Sequence, residues 1–159
     1  MNFSFTDKFD IIIGKELSLR IIEKQQGKGA MLPFYYWDIL VGTRTVGKIS
    51  LRVGRNFHSY YNGNIGYEID ELYRGHRYSQ KACELLLPVA EFHGMKELLL
   101  TCRETNIASY KVIESLGAEL LEITEAPREY FAWKEGMERQ RIYSWSVAAA
   151  AERLAKKNQ

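Results

Sequence analysis

Cysteine and proline are scarce in this chain, with two and three residues respectively among 159. Cys83 and Cys102 form no CxxC pair, and each lies in an apolar stretch. They read as buried thiols of a reducing compartment, not as a disulfide framework. His58, His76 and His93 have no ligand spacing with one another or with the cysteines, so no metal site is expected. The low proline count and 13% aromatic content argue against disorder. No apolar run approaches the roughly 20 residues that span a bilayer. Residues 1–13 include Asp7 and Asp10 and carry no small-residue cleavage signature, so no secretory signal is expected. An excess of one charge is also missing. Lys plus Arg number 22 against 20 Asp plus Glu, a net charge of +2, which gives no warrant for a nucleic-acid or membrane partner. What these absences leave is one cytoplasmic domain over residues 1–159. A chain of this length buries roughly 70% of its unfolded surface without a disulfide or metal staple.

The patterning that is present alternates between periods of two and of three to four. Glu16–Glu23, Phe34–Val41, Val46–Val53 and Asn64–Ile69 read as strands, the second and third closing a hairpin near Gly42–Thr45. Gln25–Ala30 reads as a turn and Asn56–Gly63 as a loop. Ser79–His93 carries Ala82, Leu85, Leu86, Val89 and Ala90 at helical spacing, with Gly94 to stop it. Glu97–Cys102 is almost wholly apolar, as in a strand buried on both faces. Asn106–Leu116 reads as a second helix between an Asn cap and Gly117. Glu119–Thr124 and Gln140–Val147 complete the strands, and Ala148–Lys156 has strong helix formers. The fold class is therefore α/β, more closely α+β. It has a mixed, mostly antiparallel central sheet, flanking helices, and a βαβ unit over Asn64–Cys102 whose strands are expected to run parallel or nearly so.

The junction between that unit's first strand and its helix carries chemistry. It reads Arg74-Gly75-His76-Arg77-Tyr78-Ser79-Gln80. A helix N-terminus leaves backbone N–H groups unpaired and carries about half a positive charge. Arg74, Arg77 and the Ser79 hydroxyl add donors, a combination suited to phosphate or pyrophosphate. The same residues also fit an ordinary helix start with two solvated arginines. Neither GxxxxGK nor GxGxxG occurs, so a P-loop and a dinucleotide fold lack support.

Residues 74–79 resemble the Q/R-x-x-G-x-G/A signature of the GNAT superfamily of N-acetyltransferases. Asn106-Ile107-Ala108-Ser109 and Glu114-Ser115-Leu116-Gly117-Ala118 resemble its N-x-x-S…E-K-L-G-F/G helix, at a matching separation. The strand Gly63-Asn64-Ile65-Gly66-Tyr67 is similar to that of the ribosomal-protein N-acetyltransferase branch. The likeness runs over 17–147, is specific from Gly63 to Ala118, and leaves 148–159 as a helical tail.

The resemblance implies acetyl-CoA as co-substrate, no metal, and direct acetyl transfer to the amine of a small molecule or peptide, without a covalent enzyme intermediate. It implies that Arg74, Gly75, His76, Arg77, Tyr78 and Ser79 wrap the pyrophosphate, with Gln80 opening the helix. Ile69 and its strand would pair with the pantetheine arm. Asn106 would bond that arm or a water near the thiol, and Ser109 belongs to the same motif.

Two departures stand out. Arg77 occupies a family glycine position, which requires its φ to be negative and its side chain to swing outward. Ile113 occupies the usual position of a general-acid tyrosine, whereas Tyr110 shares the helix face of Asn106 and either reaches the cleft or packs. Glu68 is the first candidate for general base, its other reading being a carboxylate paired across the sheet. The acceptor wall is weakly encoded. Residues 125–139, with Tyr130, Phe131 and Trp133, serve either as an acceptor lid or as a subunit contact, the latter implying a homodimer. The alternative function on the same fold is a CoA-binding sensor or interaction module without turnover.

Overall fold

Alternating burial organises the first half of the chain. The computed structural model describes residues 3–158. Strands β1 (Ile11–Ile13), β2 (Ser18–Gln25), β3 (Phe34–Val41), β4 (Arg44–Arg52) and β5 (Ile65–Ile69) form a five-stranded antiparallel sheet in that order. The β3–β4 hairpin turns through Gly42, whose φ of +62° suits the first position of a two-residue turn. Register sorts the sheet into two faces. Trp37, Ile49 and Tyr67 stand in one row facing the core, and Tyr36, Ser50 and Gly66 stand in a row on the opposite face.

A second antiparallel sheet contains β6 (Glu97–Arg103), β7 (Glu119–Thr124) and β8 (Gln140–Ser146) in the order β6-β8-β7. Leu98, Leu99 and Leu100 of β6 are all buried, as the apolar run predicts. Helices α2 (Tyr78–Leu85), α3 (Leu87–Phe92), α4 (Ile107–Ser115) and α5 (Val147–Lys157) complete the frame together with α1 (Phe57–Asn62). Among the described residues no helix is long and apolar enough to cross a membrane.

Three expectations are corrected. Residues 57–62 are helical, not loop. The Asn56 side chain accepts from Ser59 N at 2.8 Å while Ser59 Oγ accepts from Asn56 N at 2.9 Å, a reciprocal capping box. The expected single helix over Ser79–His93 is two, because Pro88 lacks the N–H that would continue the ladder and sits in the first turn of α3. The expected parallel pairing of β5 with β6 is absent, and the two strands lie in different sheets.

Asn64 explains the last difference. Its N–H donates to Leu99 O at 2.6 Å, and its side-chain Oδ1 accepts from Leu99 N at 2.8 Å. The carbonyl of Asn64, which would carry the next rung, accepts instead from Arg52 N of β4 at 2.7 Å, so the ladder ends there and β5 and β6 diverge. Asn64 Nδ2 also donates to the carbonyls of Arg52 and Gly54 at 2.9 and 3.0 Å. This one residue, 1% exposed, joins β4, β5 and β6.

Candidate active site

The divergence of β5 from β6 leaves one edge of β5 open. Asp70 N donates to Val46 O, so the amides of Glu68 and Gly66 also point toward β4. By the period of the ladder, the backbone groups of Tyr67 and Ile69 point to the open side. A cleft of about 640 Å³ lies along that edge, within the usual range for a small-ligand site. Glu68, Ile69, Arg74, Gly75, Tyr78 and Ser79 line it from the strand and the start of α2. Asn106, Ser109 and Val112 line it from α4.

The cleft narrows to an anion cradle at α2. Among the described residues, none of the N–H groups of residues 75–80 donates to a protein acceptor. Two of these residues have left-handed backbone, Gly75 at φ +92° and Arg77 at φ +62°. Successive amides turned this way, followed by a helix start, form a concave site for negative charge. Arg74 folds back, its Nε donating to Ile69 O at 3.1 Å. His76 stacks against the Tyr78 ring with centroids 5.1 Å apart. The side chains of His76 and Gln80 do not line the cleft, so any role they have there runs through their amides.

The backbone of Arg77 corrects the requirement of a negative φ. It is the only non-glycine residue with positive φ among those described. This conformation costs an L-residue about 1–2 kcal/mol. Arg77→Gly relieves that strain, less the extra entropy glycine loses on folding. The variant should melt at the wild-type temperature or up to about 4 °C higher, at about 2–4 °C per kcal/mol for a chain this size. CoA affinity should hold or improve. A tenfold or greater loss of affinity in a binding titration would make the guanidinium a direct ligand and overturn a cradle built from backbone.

Asn106 caps α4 by accepting from Ser109 N at 3.2 Å, which leaves its amide NH₂ free at the cleft. Tyr67 closes the Gly63–Tyr67 strand motif but is not among the candidate site residues of the sequence. Its hydroxyl lies 3.2 Å from Ser109 Oγ inside the cleft, and burial pushes its pKa well up, so it stays protonated. The alternation of β5 puts Tyr67 on the core face, and that was the available signal. Tyr110 does not line the cleft. The Arg141 guanidinium covers its ring at 4.1 Å.

Glu68 is exposed and stands where two cavities meet. Besides the large cleft it lines a smaller pocket of about 200 Å³ on the polar sheet face, with Tyr36, Lys48, Ser50, Arg52 and Gly66. Residues 125–139 line neither cavity. Tyr130, buried there, packs against His58 and Tyr61 and donates to Asn62 Oδ1 at 3.3 Å, so this segment closes over α1 of its own chain.

Residues 11–119 match the family model described as acetyltransferase (GNAT) domain. No curated protein matches the chain in sequence. Solved structures share its fold. One described as a candidate acetyltransferase has a TM-score of 0.70 at 15% identity, over 98% of this chain and 99% of that one. RimL, a ribosomal L7/L12 α-N-protein acetyltransferase in its apo form, has a TM-score of 0.63 at 15% identity, over 86% and 93% of the two chains. The microcin C7 self-immunity acetyltransferase MccE, solved with acetyl-CoA and AMP, has a TM-score of 0.55 at 20% identity, over 71% and 61%.

Proposed function

The chain belongs to the GNAT acetyltransferase family, and from that premise we propose that it moves an acetyl group from acetyl-CoA to a primary amine. One observation carries the reading: a row of free amides at residues 75–80 closes one end of a cleft whose other end meets Glu68. The amides suit the pyrophosphate of CoA, with Arg74 and Arg77 adding positive charge at the rim. The open edge of β5 at Ile69 and Tyr67 suits the amide groups of the pantetheine arm. Asn106 and Ser109 face the same arm from α4. The RimL neighbour, named as acting on a ribosomal protein, supports an amino group as the acceptor, free or at a peptide terminus.

Acetyl-CoA when bound supplies a thioester: the C–N bond to the acceptor forms as the C–S bond breaks, and the thiolate leaves with a pKa near 8.5. Glu68 takes the proton that an amine of pKa near 10.4 must lose before it attacks, directly or through one water. A backbone N–H on the open edge of β5 faces the oxygen that gains negative charge. The Tyr67 hydroxyl, held protonated, would donate a hydrogen bond to the departing thiolate, which needs no proton to leave. Tyr110, on the helix that Asn106 caps, is the second candidate, and its removal tests it.

Thermal melting with CoA is the direct test. Ligand at about 100 times its Kd adds about 2.7 kcal/mol to stability. At about 2–4 °C per kcal/mol, the midpoint should rise by about 5–11 °C. No shift at millimolar CoA would overturn the reading. Thiol release from acetyl-CoA across a panel of amines and peptide N-termini then reads turnover. Binding without release on any acceptor would instead make the protein a CoA sensor.

A further inference from the structure

The small pocket beside Glu68 holds more positive charge than its surroundings balance. Its floor is the row Tyr36, Ser50 and Gly66. Arg52 reaches over that row from one side. Its Nη2 lies so close that a Cβ on Gly66 would stand 3.1 Å from it and 3.1 Å from Ser50 Oγ. Gly66 thus keeps the space above the floor clear. Lys48 leans over the row from the other side, its Nζ 6.0 Å from the centre of the Tyr36 ring.

Neither cation makes an ion pair, although Glu68 stands directly opposite Lys48 in the β4–β5 register. Among the described residues no carboxylate lies within 4.0 Å of Arg52 or Lys48. Asp38, opposite Lys48 in the register, is taken by Arg20 at 3.3 Å. Arg52 Nη1 donates to the carbonyls of Asn62 and Gly63 at 3.4 and 3.2 Å, while its Nε and Nη2 have no protein acceptor among the described residues. Burial holds the Arg52 pKa below its ordinary value, the mark of a cation short of compensation. A partly buried guanidinium with two donors open to a pocket is matched to a planar, bidentate anion.

Glu68 stands two residues beyond Gly66 on the same face, about 6.8 Å along the strand. The pocket therefore presents the Arg52 guanidinium over Gly66, and Glu68, opposite Lys48, at the rim that adjoins the cofactor cleft. Its 200 Å³ equals the volume of about six or seven waters, at about 30 Å³ each, which suits a molecule the size of an amino acid.

We propose that the acceptor is an amino carboxylate: its carboxylate is bound by Arg52 over Gly66, and its amine is set at Glu68 for transfer. This rests on the acetyl-transfer reading above and specifies its substrate class. The reaction is unchanged. The C–N bond forms, the C–S bond breaks, and the proton lost by the ammonium passes to Glu68 or water.

The test is thiol release with matched acceptors: glycine, β-alanine and γ-aminobutyrate, each against its carboxamide, with aminomethylphosphonate as a phosphonate arm. At least one acid should exceed its amide in kcat/KM by about tenfold or more, a difference of about 1.4 kcal/mol. The gap should lie mainly in KM. Arg52→Met should bring that acid-to-amide ratio close to one, and Arg52→Lys should restore part of it. The ratio is internal to each variant, so it is independent of total activity. If Arg52→Met does not fold, the wild-type panel decides alone. Amides that match all three acids overturn the proposal while leaving acetyl transfer intact. A tenfold preference for the phosphonate overturns the carboxylate assignment. If CoA gives no thermal shift and no acceptor is acetylated, the underlying reading fails, and this one with it.

Discussion

Glu68→Gln should lower turnover by about a hundredfold or more near neutral pH, with KM for the acceptor changing less. Glutamine keeps the size and polarity of this residue but cannot accept the proton, and loss of a general base typically costs 10²–10⁴-fold. The deficit should shrink as pH rises. More of the amine is then neutral before it binds, and the missing base is needed less. Tyr110→Phe should cost about tenfold or less, since general acid catalysis contributes least where the leaving group departs readily. Its ring packs under Arg141 at 4.1 Å and lies off the cleft. The pH–rate profiles of the two variants with one good acceptor decide between them. Near-normal turnover in Glu68→Gln beside a dead Tyr110→Phe would reverse the roles. Small effects in both would assign proton removal to water near Asn106.

Asn64→Leu should be strongly destabilising. It keeps the side-chain volume and removes three hydrogen bonds. The Leu99 N–H and the carbonyls of Arg52 and Gly54 all lose their partner. A buried group left unsatisfied costs about 1–3 kcal/mol. We expect a loss of at least about 3 kcal/mol, and a midpoint at least about 6–12 °C lower at about 2–4 °C per kcal/mol. Because the same residue stands where β5 leaves β6, CoA affinity should fall as well. A melting point within about 2 °C of wild type would show that backbone contacts alone hold the two sheets together.

Local chemistry was legible where residues act through their own backbone or period. The β3–β4 hairpin, the buried run Leu98–Leu100 and the Asn106 cap follow from turn residues, composition and capping that neighbours in sequence supply. Where a nearby residue was overlooked, the reading missed. Pro88 divides the helix after Leu85, and Asn56 with Ser59 starts a helix in a segment read as loop. Both signals were local and available. The anion cradle was visible as a strand-to-helix junction with two arginines, but the sign of the Arg77 φ was not. A backbone dihedral at a non-glycine residue depends on what the flanking strand and helix impose.

The sequence by itself determined seven of the eight strands described, the amphipathic faces that build the core, and the two motifs that join a strand-to-helix turn to an asparagine cap. Those features rest on contacts between residues close in the chain. Tertiary structure alone decided three others. Asn64 gives its N–H to Leu99, 35 residues away, and its carbonyl to Arg52, so its pairing with β6 ends after one rung. Tyr110 turns from the cleft because Arg141 on β8 covers it. Arg52, Lys48 and Glu68 share one pocket because register on two adjacent strands places them on the same face. Such relations depend on which distant backbone groups meet, and a one-residue shift of register would send each side chain to the other side of the sheet.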